Sequence, residues 1–504
     1  MLRKAGILLP IFSLPSKHGI GCFSKEAYDF VDFLYETKQT LWQILPLVPT
    51  TIGDSPYQGV SSFAGNPYFI DLEELKNEGL ITKEDIEYMN FGESDSEIDY
   101  GRIYGARYPL LRKAFQKSFN DKINGHELSE SYKKFIYEEG DWVEKYALFM
   151  SIKDKFNGLP YYEWEDEYKY YDEDNIQKLY NNKTDFENIC FYRFIQFKFN
   201  EQWLKLKKYA NDKNIKIIGD IPIYVARDSV ECWSEKENFL FDKTLTPKFV
   251  AGCPPDSFSS EGQLWGNPIY DWEYIKNNNY DFWIRRFKRS FKIYDIVRLD
   301  HFRGFDEYYK ILSSDSDAKR GTWEKGPGIS LFKKVEEALG KKEFIAEDLG
   351  LINDSTRKLV NDTNFPGMKV MQFAFSDTYN KSSNAYLPHN LIINSVSYTG
   401  THDNETLCEW LDKLNKEDKK YLRDYLFDYD TKDNLLYKKI IAMVMRSVSK
   451  YAIIPMQDYI GLGKNARINS PSTFGTNWRF RLSKGQLTND IKDFIKNLTI
   501  NYGR

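Results

Sequence analysis

The sequence predicts an α/β protein, a (β/α)8 TIM barrel with helical segments inserted over its C-terminal rim. Three observations carry that prediction. Eight short apolar runs recur along the chain, most of them separated by stretches of helical periodicity. Alternating β and α units build a parallel sheet, and eight of them suit a closed barrel. The chain has 504 residues, well above the roughly 250 of a plain barrel, so the excess must lie in insertions. Several of the runs end in acidic residues, at the strand ends where barrel enzymes place their chemistry.

The elements follow in chain order. Ala5–Leu9 is the first strand; the apolar part of its N-terminal approach is too short, and Pro10 too close, for a secretory signal. Ser24 is placed to cap a helix over Lys25–Lys38, with Tyr28, Val31, Phe33 and Leu34 as its apolar stripe. Leu41–Pro46 is the second strand. A long stretch, about 50–200, then reads as an inserted subdomain with charged helical segments such as Ile81–Tyr88 and Tyr104–Phe119. A helix around Phe197–Tyr209 leads into the third strand, Ile215–Asp220. A second long insertion, about 221–279, reads as a loop before the fourth strand, Tyr294–Asp300. The fifth strand, Glu343–Asp348, follows a helix at Ser330–Leu339. Met368–Phe373 and Ser395–Gly400 are the sixth and seventh. A helix at Leu435–Ser449 precedes the eighth, Tyr451–Met456. With no internal repeat, low-complexity tract or Gly/Ser linker, residues 1–504 read as one domain.

Composition excludes several classes. The net charge is -4 and no basic block or stripe occurs, which argues against nucleic acid as a partner. No apolar run is long enough to span a bilayer. The five cysteines are scattered, as expected of reduced thiols in a cytoplasm. The five histidines form no ligand-like cluster, so neither a metal nor another cofactor is expected. Aromatic residues make up 16%. They serve either as stacking platforms for sugars or, as for most rings, as core.

The candidate chemistry centres on Val297-Arg298-Leu299-Asp300-His301-Phe302-Arg303-Gly304. Arg298 and Asp300 lie two apart, so on a strand they share a face, and a carboxylate beside an arginine stays ionised. Taken alone, the pair also fits a structural ion pair at a strand end. The third strand ends at Asp220, the fourth at Asp300-His301, the fifth at Glu347-Asp348 and the seventh in Thr401-His402-Asp403-Asn404-Glu405. Carboxylates from four strands thus converge on one rim. Cleavage of a glycosidic bond with retention needs such a set: one carboxylate to attack the anomeric carbon and one acid to protonate the leaving oxygen. Asp300 suits the nucleophile. Glu347, after the apolar Phe344-Ile345-Ala346, suits an acid whose pKa burial raises. Asp403 suits a group that binds sugar hydroxyls and helps bear developing positive charge.

The chain resembles the 4-alpha-glucanotransferases of the amylomaltase (disproportionating enzyme) type, glycoside hydrolase family 77 of the alpha-amylase clan. The resemblance runs nearly end to end. It rests on Gly6-Ile7-Leu8-Leu9, Trp42-Gln43-Ile44-Leu45-Pro46-Leu47, Asp54-Ser55-Pro56-Tyr57-Gln58, Phe63-Ala64-Gly65-Asn66-Pro67 and Gly219-Asp220-Ile221-Pro222. Pro254-Pro255-Asp256 and Gln263-Leu264-Trp265-Gly266-Asn267-Pro268 follow. Arg298 to Arg303, Ala346-Glu347-Asp348-Leu349-Gly350, Thr399 to Asn404 and Asn477-Trp478-Arg479 complete it. It implies Asp300 as nucleophile, Glu347 as acid/base and Asp403 as transition-state stabiliser. Arg298, His301 and His402 would hold the sugar before the scissile bond, with Asp220 beneath it. Tyr57 would stack on a glucose ring. Asp256, Phe258, Gln263 and Trp265 would serve the acceptor side on a mobile loop, 252–266, and Asn469 and Asn477 would either line subsites or pack the C-terminal loop. Ile52 departs from the family, many of whose members carry Tyr there, at a secondary glucan-binding groove; Glu405 and Cys22 are lesser departures. The implied activity passes part of a maltodextrin donor to the 4-hydroxyl of glucose or another glucan, in the cytoplasm. An alpha-1,4-glucan hydrolase on the same scaffold and a catalytically silent glucan-binding protein are the alternatives.

Overall fold

The computed structural model describes residues 3–51, 53–123, 129–255, 260–350, 352–375, 381–471, 473 and 475–504. Ile52, Asp256 and Phe258, singled out above, lie outside the described residues.

Twelve strands form two sheets. In chain order they are β1 (Lys4–Leu8), β2 (Leu41–Gln43), β3 (Lys216–Pro222), β4 (Phe249–Cys253), β5 (Gln263–Pro268) and β6 (Ile296–Asp300). They continue with β7 (Glu307–Leu312), β8 (Thr322–Lys325), β9 (Phe344–Ala346), β10 (Gly367–Val370), β11 (Ser395–Tyr398) and β12 (Tyr451–Pro455). Eight of them close a parallel barrel in the order β1-β12-β11-β10-β9-β6-β3-β2. These are the eight strands expected from sequence, with ends shifted by up to three residues; the third, expected to end at Asp220, runs on to Pro222. Residues 371–374, read as the end of the sixth strand, form a 3-10 turn (Met371–Ala374) instead. Both faces of a barrel strand are covered, so strands read as unbroken apolar runs; β12 is buried at every position.

Helices sheathe the barrel. Lys25–Glu36 buries Ala27, Phe30, Val31, Phe33 and Leu34. Ser24 occupies its N-cap position, but its hydroxyl donates to Glu26 Oε2 at 2.6 Å and shares a hydrogen bond with the Ser16 hydroxyl at 2.8 Å rather than accepting from the helix backbone. Asp281–Ile293 turns Phe282, Trp283 and Phe287 inward together with two arginines. One of these, Arg286, is fully buried and donates to the carbonyls of Pro222 and Ile223 at the end of β3. It satisfies backbone acceptors where the chain leaves the sheet.

The stretch between β2 and β3 is helical. Its long members are Tyr100–Ile123, Glu130–Lys155 and Lys183–Asp212. The last leads straight into β3, and its Trp203 Nε1 donates to the carbonyl of Ile293. The aromatic excess goes largely into packing of this kind. Trp42, Trp203, Trp233 and Trp283 are among the largest fully buried side chains.

The stretch 221–279, read from sequence as a loop, is not loop throughout. It contributes β4 and β5 to a second, antiparallel sheet of order β5-β4-β7-β8. Its strands are only partly buried, as Glu307–Leu312 shows, and so lack the unbroken apolar run that marks a barrel strand. This sheet stands beyond the end of β6 and anchors both sides of the segment 254–262.

Gly219 in β3 is one of the tightly packed glycines. A methyl group there would lie 2.1–2.3 Å from the ring carbons of Tyr294, whose hydroxyl accepts from the Leu47 backbone N–H at 3.2 Å. Gly219→Ala is therefore expected to destabilise the fold by roughly 2–3 kcal/mol through overpacking. Thermal unfolding measures it directly, and an unchanged midpoint would show that the ring can move aside.

Candidate active site

All eight barrel strands run the same way, so their C-terminal ends share one rim. The register sets the first contact: β3 and β6 pair with Asp220 opposite Arg298. Arg298 Nη1 donates to both oxygens of Asp220, at 2.8 and 2.6 Å, and to Asp300 Oδ1 at 2.9 Å. Arg298 and Asp220 are almost wholly buried, whereas the Asp300 side chain is 27% exposed toward the rim. Burial works against the charge on Arg298, and Asp220 and Asp300 more than restore it. Burial likewise pushes Asp220 up, to about 6, against the pull of Arg298. Tyr57 Oη, kept protonated by burial and by that carboxylate, donates to Asp220 Oδ2 at 2.9 Å.

Glu347 follows β9, the other neighbour of β6, with Leu299 opposite Ala346. Both of its oxygens meet backbone donors. His301 N–H donates to Oε2 at 2.8 Å and Leu349 N–H to Oε1 at 2.9 Å. The first bond exists because His301 is left-handed, with φ 51°, a conformation that costs a non-glycine residue about 1–2 kcal/mol. Burial pushes the Glu347 carboxyl up to about 8; Asp300 adds to this, while Arg298 and the two N–H donors oppose it. The His301 imidazole is itself held neutral near pH 7, pushed down to about 4 by burial. Its ring meets Trp265 edge-on at 4.9 Å. Its Nε2 is buried and has no hydrogen-bond partner among the described residues.

Asp403 stands on the segment after β11. Asn469 Nδ2 donates to its Oδ1 at 2.6 Å, and His402 Nε2 lies 3.2 Å from its Oδ2. Its side chain remains 42% exposed to the cleft. Burial of the surroundings opposes ionisation, but His402 and Asn469 outweigh it and hold the carboxyl down at about 2. The Tyr57 ring stacks on His402 at 5.1 Å and also touches Trp478. Asp300, Glu347, Asp403, Asp220, Arg298, His301, His402, Tyr57 and Trp265 thus form one connected cluster. Gln263 reaches it through Trp265, whose indole N–H donates to Gln263 Oε1 at 3.0 Å. Asn477 stands apart: it closes the turn after Asn469 by bonding Ser470 and Thr473. Asp348 also has a backbone task, accepting from Met368 N–H and pairing with Lys369.

Two contributors escaped the sequence reading. Arg467 Nη2 donates to the Asp403 carbonyl at 3.0 Å; nothing around it in the sequence signals that. Trp478 is buried and left-handed, with φ 66°; its place beside Asn477 in a quoted motif was a usable signal. Among the described residues no group of three or more His, Cys, Asp or Glu could hold a metal ion.

A closed parallel barrel that gathers carboxylates from β3, β6, β9 and β11 at its C-terminal rim, beside one buried arginine, is an enzyme scaffold with the carboxylate set that glycosidic-bond chemistry needs. Comparisons narrow the class. A family model described as 4-alpha-glucanotransferase matches residues 9–488. A 4-alpha-glucanotransferase of Clostridium butyricum is 46% identical over 496 residues, covering 98% of this chain and 99% of its own. That of Aquifex aeolicus is 42% identical over the full length of both chains. The amylomaltase of Streptococcus agalactiae, solved in complex with acarbose, superposes with a TM-score of 0.95 at 40% identity, covering 100% of this chain and 99% of that one. The chain belongs to the 4-alpha-glucanotransferase family, glycoside hydrolase family 77.

The site has a pH signature. The folded pKa of Glu347 lies above the ordinary carboxylate value near 4.3, so the native state binds a proton that the unfolded chain has released. The contribution of Glu347 to stability is then expected to fall as pH rises from about 5 to 8, opposed below about 6.5 by the neutral His301, and Glu347→Gln should remove the falling part of the profile. Denaturant titrations across this range check it. A variant profile as steep as wild type would mean that Glu347 ionises normally.

Proposed function

We propose that Asp300, Glu347 and Asp403 carry a retaining double displacement on an alpha-1,4-glucan. The observation that supports this most directly is the division of labour around Arg298. One carboxylate, Asp300, is paired to it yet open to the rim. Its neighbour across β6 and β9, Glu347, is pushed toward its protonated form. Retaining enzymes place two such groups about 5–5.5 Å apart, a spacing that adjacent barrel strands supply.

In the first step an Asp300 oxygen bonds to the anomeric carbon of the donor. The bond from that carbon to the leaving O4 breaks, and Glu347 gives its proton to O4. The reducing-end piece departs. In the second step the 4-hydroxyl of an acceptor glucose or maltodextrin enters. Glu347, now a carboxylate, takes its proton, the new bond to the anomeric carbon forms and the ester to Asp300 breaks. Asp403, held ionised, faces the positive charge that develops on the ring in both steps. The resemblance assigns His301 and His402 to sugar hydroxyls and Tyr57 to a sugar face; His301 Nε2 is buried without a partner among the described residues and His402 Nε2 faces Asp403.

The same intermediate serves transfer and hydrolysis, and water exclusion decides between them. Trp265, edge-on against His301, supports transfer, because an indole beside the site can shield the ester from water. The aromatic and amide groups around the cleft suit a neutral polyhydroxylated donor and acceptor. No helix of the described residues is long and apolar enough to cross a membrane. We assign the reaction to the cytoplasm, where the five free cysteines would stay reduced.

Incubation with maltotriose tests the function. A ladder of longer maltodextrins plus glucose, with total reducing ends unchanged, is expected; rising reducing ends with only shorter products would mean a hydrolase. Asp300→Asn is expected to lower turnover by about 10⁴-fold or more while leaving maltodextrin binding and the thermal midpoint near wild type. Retained turnover would remove Asp300 from the nucleophile's role.

A further inference from the structure

Asp458 is a buried carboxylate that the chemistry above does not use. It lies in the short helix Met456–Ile460, directly after β12, and is 1% exposed. Among the described residues no cation pairs with it. Its two oxygens reach two points of one neighbouring segment. Oδ2 accepts from the Thr399 hydroxyl at 2.5 Å and Oδ1 from the Leu407 backbone N–H at 2.7 Å. Thr399 is the first residue after β11, and Leu407 opens the helix Leu407–Lys413. Both are fully buried. Between these anchors run residues 400–406, which carry His402 and Asp403.

The adjoining contacts make the same segment a supported arch. Gln372 Nε2 donates to the Glu405 carbonyl at 2.9 Å. Asn404 Oδ1 accepts from both the backbone N–H and the hydroxyl of Thr401 at 2.9 Å. On the far side Gln457, next to Asp458, donates to the Ala466 carbonyl. The strap that begins there supplies Arg467 and Asn469, the two residues that hold Asp403 by its carbonyl and its carboxylate. One turn after β12 therefore braces Asp403 from beneath and from the side.

We propose that Asp458 is a positioning residue: by tying Thr399 to Leu407 it sets the height and tilt of the 400–406 arch and so the placement of Asp403 against the reacting sugar. The inference rests on the role proposed for Asp403 in the transition state. A buried charge without a cation opposes folding; burial pushes this carboxyl up to about 6. Asp458 is thus a poor choice for stability alone and a good one for fixing two donors with two acceptors.

The test compares wild type, Asp458→Asn, Asp403→Asn and the double variant in maltotriose disproportionation, with thermal midpoints. In Asp458→Asn the new amide keeps an acceptor for Leu407, but toward Thr399 it becomes the donor, so the hydroxyl must turn to accept and the short charge-assisted bond that sets the spacing is replaced by a longer neutral one. This change is expected to lower kcat about 10- to 100-fold, the scale of a small misplacement of a catalytic group. KM should stay within about threefold, since the ground state is held by many other contacts, and the midpoint should not fall. In the Asp403→Asn background the same change should cost less than about twofold, because the group it positions is already lost. An equal cost in both backgrounds, an unchanged kcat, or a kcat that falls only together with the midpoint would overturn the proposal. Should Asp458→Asn not fold, Thr399→Val removes the hydroxyl donor at nearly constant shape and is read by the same criteria in the same two backgrounds. Near-wild-type kcat in Asp403→Asn alone would sink the role of Asp403 and the positioning role with it. A crippled Asp403→Asn with an additive Asp458→Asn cost would overturn the positioning role alone.

Discussion

The buried guanidinium of Arg298 is the fixed point of this molecule. It cannot shed its proton, and it lies where a barrel interior would otherwise be apolar, so its charge demands carboxylates at hydrogen-bonding distance. Asp220 meets that demand from the neighbouring strand and Asp300 from the same strand, two residues on. Register then has little freedom. A slip of one residue between β3 and β6 would turn Asp220 to the other face and leave the buried cation with Asp300 alone. The local chemistry and the closure of the barrel are specified by the same contact.

From that point the site is built outward by differences in environment rather than in residue type. Four carboxyl groups stand within one cluster, and each is treated differently. Asp220 is sealed beneath Tyr57, and Asp300 faces the rim. Glu347 is raised by burial, whereas Asp403 is lowered by His402 and Asn469. A protonated carboxyl and an ionised one can therefore coexist at neutral pH without any change of side chain. The strain at His301 belongs to the same arrangement, since its left-handed backbone aims the N–H that holds Glu347.

Much of this was legible in the sequence because the barrel strands are short apolar runs that end in charge. Arg298 and Asp300, two apart, announce a shared face, and Asp220, Glu347 and Asp403 each sit at the end of such a run. What was not legible depends on contacts distant in sequence. The antiparallel sheet was missed because β7 and β8 are half-exposed and carry no barrel-like burial. Arg467 was missed because a lone arginine in a loop carries no periodic signal. Ser24 shows the converse: a residue of the right type at the right place whose hydroxyl is diverted by Ser16 and Glu26. Local preference located the helix; tertiary contacts decided what the side chain does.

The strand order also governs how this chain can be assembled. β1 has β2 on one side and β12 on the other, so the first strand made is completed only by the last. β2 in turn must wait for β3, on the far side of the whole helical insertion. Pairings so distant in sequence close slowly. During N-to-C synthesis β1 therefore keeps an unpaired edge until β12, Tyr451–Pro455, has been made, and an open edge of that kind is a template for pairing with another copy.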